Sequence, residues 1–201
     1  MNRRLVPCLL FTLCLSLAAS AQTAKPPQSE FSTPPWLPRS ALLGTFIRNG
    51  AVVPEARLQW QWVFFQGRSD LLAVLLEPGA AVAAIKPATV IEDAQAPMTS
   101  LQFYSLVLGV GYRNQLESGL EWGFQLGTGP AWYKARFRGA TRNEESYFVG
   151  LLDGRVQVGY RVGSFSLGEA VGYGDPYNYR RSSLARPYIG GLQLGLYGDW
   201  R

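Results

Sequence analysis

Histidine is absent from the 201 residues, and the two cysteines, Cys8 and Cys14, both lie near the N-terminus. That removes the commonest general base near neutral pH and the usual nitrogen ligand for metals. Carboxylates are left for proton chemistry. Glu121 and Asp153 lie on the polar side of segments that alternate polar and apolar residues, whereas Glu169 stands between Leu167 and Val171 on an apolar side. Two readings are open. One is a buried acid pair or proton relay. The other is an ion-pair network of Glu121, Asp153 and Glu169 with Arg113, Arg155 and Arg161, favoured because buried charges must be paired in any case. No catalytic residue, cofactor or metal ligand is expected.

A second set is basic. Lys134, Arg136, Arg138 and Arg142 cluster in one stretch, and Arg180, Arg181 and Arg186 in another, with Tyr177 and Tyr179 nearby. Such side chains can form charge-assisted hydrogen bonds to phosphates, although loop charges are often simply solvated. A formal net charge of +5 is too weak to point to nucleic acid. There is no strand-flanked phosphate loop, zinc-ligand spacing or basic–aromatic RNA motif, so no nucleic-acid partner is expected.

The elements that must position these residues begin after a targeting segment. Arg3 and Arg4 precede an apolar stretch, Leu5 to Leu17, and then Ala18-Ala19-Ser20-Ala21. This reads as a signal peptide over 1–21, too short in its apolar part to span a bilayer as a helix. Its removal would take both cysteines with it. Residues 22–40 are polar and Pro-rich and read as a linker. Residues 41–201 form the remaining domain.

That domain shows a period of two. Leu120, Trp122, Phe124 and Leu126 fall on one face, and Glu121, Gly123, Gln125 and Gly127 on the other. Tyr104 to Tyr112, Val156 to Val162, Leu58 to Phe64 and Leu192 to Trp200 alternate in the same way. The expected strands are 57–66, 69–77, 80–86, 100–113, 118–132, 146–162, 164–174 and 187–200, with Leu42 to Arg48 as an alternative first strand. Glu77-Pro78-Gly79 reads as a turn, Pro130 as a bulge or the end of regular pairing, and Gly168 as a bulge that turns Glu169 inward.

The polar faces are rich in glycine, which would weaken a solvated outer face but makes room inside a narrow barrel. The apolar faces carry aromatics near their ends, namely Tyr104, Tyr112, Tyr160, Tyr188 and Trp200. Aromatic girdles at two membrane interfaces give this pattern. The expected fold is therefore all-β, an up-and-down antiparallel transmembrane barrel of eight strands. Eight strands leave no open aqueous channel. A soluble β-barrel alternates too, with Trp122 and Phe124 lining a cavity for an apolar ligand. That alternative stays open at this point, as does a narrow solute channel.

The C-terminus carries the most specific likeness. Gln193-Leu194-Gly195-Leu196-Tyr197-Gly198-Asp199-Trp200 resembles the terminal assembly signal of outer-membrane barrels. Gln193, Gly195 and Trp200 match it, whereas Gly198 stands where a large apolar residue is usual and Arg201 follows the aromatic. In length and layout the chain resembles the small OmpA/OmpX-type outer-membrane β-barrel class. The resemblance implies insertion by the barrel-assembly machinery, residence in the outer membrane and lipid as a partner. The basic loops would then face lipopolysaccharide. Enzymes of such barrels, among them lipid A deacylases and omptin proteases, resemble one another in needing an active-site histidine. Without one, a structural or interaction role is expected rather than catalysis.

Overall fold

The computed structural model describes residues 36–49, 51–84, 97–139, 143–180 and 182–200. They form eight strands: β1 (Ser40–Arg48), β2 (Ala51–Gln66), β3 (Asp70–Ala84), β4 (Met98–Gln115), β5 (Leu120–Phe137), β6 (Glu144–Val162), β7 (Phe165–Tyr177) and β8 (Gly191–Trp200). Each pairs antiparallel with the next. β8 returns to β1, from Ser40↔Asp199 to Ile47↔Leu192, and the sheet closes as a barrel with no open edge. The expected signal peptide lies outside the described residues, and the barrel begins at Ser40, the last residue of the expected linker.

The alternation sets which side chains enter the lumen. On β4 from Leu101 onward, and on β5 and β6, the odd-numbered residues point inward and the even-numbered ones outward. Phe124 is 50% exposed on the outside, while its neighbours Gly123 and Gln125 are buried inside. The soluble alternative is thereby overturned, because the aromatic faces cover the exterior and the polar faces fill the interior.

Two expected strands and a turn are corrected. The strands expected at 69–77 and 80–86 are one strand, β3, whose described span is Asp70–Ala84, and Glu77-Pro78-Gly79 runs through its middle. Pro78 removes one N–H from the ladder, and the β2–β3 pairing skips two rungs there without changing register. On the other side Pro78 stays paired with Leu106. Alternation was invisible in β3 because its inward residues Leu71, Ala73 and Leu75 are apolar as well. The alternative first strand is the real β1, so eight strands survive with a different membership. Pro130 is likewise no bulge: it pairs with Gly150, and the β4–β5 ladder drops rungs beside it in unbroken register.

Both chain termini of the barrel share one end, the near end, with the connections 67–69, 116–119 and 163–164. Gly163, at φ 62, takes the left-handed conformation that this tight turn needs. The far end carries 49–50, 85–97, 138–143 and 178–190. The β5–β6 connection is shorter than the gap left between the expected strands 118–132 and 146–162. Its ladder continues through Lys134↔Ser146 to Arg136↔Glu144 because Tyr133, Ala135 and Phe137 point inward and bury against the far-end core.

Outside, an apolar belt runs between two aromatic rims. Tyr104 stacks on Trp132 at the far rim, and Tyr112 stacks on Phe124 and leans on Trp122 at the near rim. From Trp122 to Trp132, β5 covers ~33 Å of strand. At the usual barrel tilt that is roughly 25 Å along the axis, the height of the apolar band in such barrels. Tyr188, expected in a girdle, is instead fully buried at the far end of the lumen.

Candidate functional site

The lumen holds the chain's buried charge. Arg57 on β2 donates to Glu55, to Glu77 on β3 and to Asp153 on β6, each at 2.9 Å. Arg155 on β6 forks onto both oxygens of Glu77, and its Nε lies 3.2 Å from Asp153. A run of amides ties this layer to the other walls. Gln59 donates to Glu77 at 3.0 Å and to Gln125 at 2.8 Å, Gln125 donates to Gln157 at 3.1 Å, and Gln193 donates to Asp153 at 2.7 Å. A second group lies nearer the termini, where Arg113 donates to Asp199 at 2.8 Å and stands 3.9 Å from Glu121.

Glycine makes this filling possible. Arg155 faces Gly172 across the ladder, Asp153 faces Gly127 and Gly174, and Arg113 faces Gly123. A methyl group on Gly172 would come 2.2 Å from Arg155 Cγ, and one on Gly159 would come 2.4 Å from the Tyr197 hydroxyl. Each long polar side chain occupies the space its neighbour gives up. A cavity of about 10 Å³ beside Glu77, Gln125 and Arg155 has room for one water and no more.

The structure joins four of the six expected network residues, Arg113, Glu121, Asp153 and Arg155, to buried ion pairs, though in two layers rather than one. Arg161 is apart from both. It is at the near rim, bonded to Gln115 Oε1 at 2.6 Å and to the Gly163 carbonyl at 2.9 Å. Glu169 is corrected outright. β7 has no bulge at Gly168, which pairs regularly with Gly159 and Tyr197, and the Glu169 side chain is exposed on the outer face. Sequence reading missed Arg57, Glu55, Glu77 and Asp199. Glu77 was hidden in the mistaken turn. Its odd position in line with Leu71, Ala73 and Leu75 would have placed it inward had 70–84 been read as one strand.

Above the charged layer the lumen turns apolar. Phe46, Leu101, Phe103, Tyr133, Phe137 and Leu151 form a core that receives Ala185, Tyr188 and Ile189 from the connection 178–190. The Glu145 carboxylate holds this loop in place. It accepts from Ser183 Oγ at 3.1 Å and from the Leu184 N–H at 3.0 Å. Arg48 and Asn49 donate to the Ile189 and Pro187 carbonyls at 2.8 and 2.9 Å. Burial pushes the phenols of Tyr179 and Tyr188 above the ordinary tyrosine range.

The expected basic cluster divides at the far rim. Lys134 and Arg136 share Glu144, at 2.8 and 3.1 Å. The Arg180 guanidinium lies 4.3 Å from the centre of the Tyr147 ring. Arg138 and Arg186 are exposed. Arg142 and Arg181 lie outside the described residues. Among the described residues no group of three metal-ligating side chains comes together.

No family model matches the sequence, and no curated protein matches it either. Solved structures do match in shape. Neisserial surface protein A (NspA) aligns with a TM-score of 0.56 at 11% identity, over 80% of this chain and 92% of its own. This is the fold of the eight-stranded outer-membrane barrels. The outer membrane enzyme PagL shares it, with a TM-score of 0.54 at 14% identity over 81% of this chain and 99% of its own. Likeness at this identity carries the barrel fold across and leaves activity to be argued from this chain's own residues.

Proposed function

We propose that this protein resides in a Gram-negative outer membrane as a barrel closed to solutes, and that its work is done by its outer rim. The closed lumen carries the reading. Ion pairs fill the middle, and the loop 178–190 fills the far mouth with Ala185, Tyr188 and Ile189. Eight strands leave an interior that side chains alone can fill. The apolar belt outside has the height of a bilayer core.

The partner we propose at the far rim is lipopolysaccharide. Lys134 and Arg136 point outward just beyond the Tyr104–Trp132 stack, and Arg138 and Arg186 add exposed guanidinium groups. Phosphates held above an acyl region would meet aromatics and cations in that order. The role is structural or adhesive rather than catalytic. Each buried carboxylate of the mid-lumen layer is engaged by an arginine, and the chain has no histidine to serve as a base. Insertion would use the barrel-assembly machinery.

Gel migration of the protein from purified outer membranes, with and without boiling, tests residence. A boiling-dependent shift is expected, and recovery in the soluble periplasm would refute it. Replacing Arg138 and Arg186 with Ser tests the partner. Raised entry of hydrophobic dyes through the outer membrane is expected, and unchanged entry counts against lipopolysaccharide contact.

A further inference from the structure

Glu169 is the one charged side chain among the described outward positions between the two aromatic rims. Val158 on β6 and Leu196 on β8 are its ladder partners, and Leu167 and Val171 flank it on β7. All four are exposed apolar side chains. Among the described residues the Glu169 carboxylate meets no cation and no hydrogen-bond donor. A charged carboxylate against hydrocarbon is stabilised by a cationic partner, and with none in the chain that partner would come from outside it.

Its depth narrows the choice. Phe165 pairs with Trp200 at the near rim. Glu169 is four residues further along β7, ~13 Å of strand and roughly 10 Å along the axis. That depth is within reach of a headgroup drawn below its usual plane by an attractive charge. The chemistry narrows it further. A carboxylate offers only acceptor oxygens, a primary ammonium offers three donors, and a quaternary ammonium offers none. An anionic headgroup would be repelled.

We propose that Glu169 binds the primary ammonium headgroup of a phospholipid in the leaflet around the near end of the barrel. The acyl chains lie along Val156, Val158, Val171 and Leu194. Tyr160 is paired with Leu167, and its ring leans over Gly119 in the near-end turn, which sets a phenol beside the path of the lipid phosphate. This inference rests on the reading that the barrel is embedded in a membrane.

The test uses a reagent that joins carboxylates to amines only where they touch. The protein is refolded into vesicles of phosphatidylethanolamine and phosphatidylglycerol and treated with dicyclohexylcarbodiimide, which dissolves in the acyl region. The reagent activates the carboxyl, and the lipid amine attacks the acyl carbon. An amide forms, and the carbodiimide leaves as its urea with one carboxyl oxygen. The peptide containing Glu169 is expected to gain the mass of one phosphatidylethanolamine less one water. Glu169→Gln is expected to lose the adduct, and phosphatidylcholine in place of phosphatidylethanolamine is expected to leave only the rearranged acylurea. An acylurea without lipid amide in both vesicles would overturn the proposal while leaving the membrane reading intact. A cross-link to a second protein chain would overturn it in favour of a protein partner. A chain that neither shifts on boiling nor reacts at Glu169 would overturn both readings.

Discussion

Arg155 on β6 and Glu77 on β3 meet across the lumen as a forked ion pair, 78 residues apart in sequence and buried on both sides. The pair ties opposite walls of the barrel together. It also sits in an unequal layer, where Glu55, Glu77 and Asp153 face two guanidinium groups, Arg57 and Arg155.

That inequality gives opposite partners different weights. Arg155→Met leaves three buried carboxylates with one guanidinium and is expected to cost about 3–5 kcal/mol of folding stability. Glu77→Gln balances two carboxylates against two guanidinium groups, but it sets an NH2 donor against the N–H donors of Arg57, Arg155 or Gln59, and is expected to cost less, about 1–3 kcal/mol. Urea unfolding in vesicles measures both. Equal losses would show that the layer does not act as a charge-balanced unit.

Glycine in the lumen is expected to be intolerant where its neighbour is long. A methyl group at Gly172 meets Arg155 Cγ at 2.2 Å and the Gly154 carbonyl at 2.5 Å, so Gly172→Ala should cost about 1–3 kcal/mol. Gly154 is on the outer face, its added carbon 3.6 Å from Leu126, and Gly154→Ala should be close to neutral. The two unfolding midpoints, read side by side, check the assignment of faces. A reversed order would place Gly154 in the lumen.

The mouth should open without the barrel leaking. Glu145→Ala removes the acceptor for Ser183 and the Leu184 N–H, and the loop 178–190 is expected to detach. Trypsin should then cut after Arg180 much faster than in the unaltered protein, whereas the Arg186–Pro187 bond resists the enzyme in either form. Conductance in planar bilayers should stay near baseline, because the Arg57–Glu77–Arg155 layer lies below. A stable channel in this variant would show that the loop, rather than the ion pairs, seals the lumen.

Alkali should loosen the same loop. Burial favours the neutral phenols of Tyr179 and Tyr188. In the detached loop they ionise near pH 10. The stability they confer is therefore whole below about pH 10 and falls as pH rises beyond it. Phenolate absorbance is expected to show a late, cooperative step. Tyr179 also buries a hydroxyl with no hydrogen-bond partner, so Tyr179→Phe should hold the loop closed better, by about 1–3 kcal/mol. Smooth titration of every tyrosine around pH 10 would show the loop already open.

Much of the barrel could be read from the chain itself. Period-two alternation in Leu120 to Gly127 and in Val156 to Val162 dictates two faces, because a pleated strand sends successive side chains to opposite sides. Gly123 and Gly127, in line with Glu121 and Gln125, mark the inner face, and Trp122 and Tyr104 mark the outer. Tertiary structure alone decided the rest. β3 has no alternation, since apolar Leu71, Ala73 and Leu75 meet an apolar part of the lumen, and only the pairing with β4 shows that Pro78 lies within a strand. Arg57, Glu77 and Asp199 gain their partners from strands far away in sequence, as closure of the ring sets β8 against β1 and carries charges across the lumen. Glu169 shows the same division. The sequence marks it as an acid on an apolar face, and the regular pairing of Gly168 holds it there, because without an extra residue the ladder cannot turn it inward.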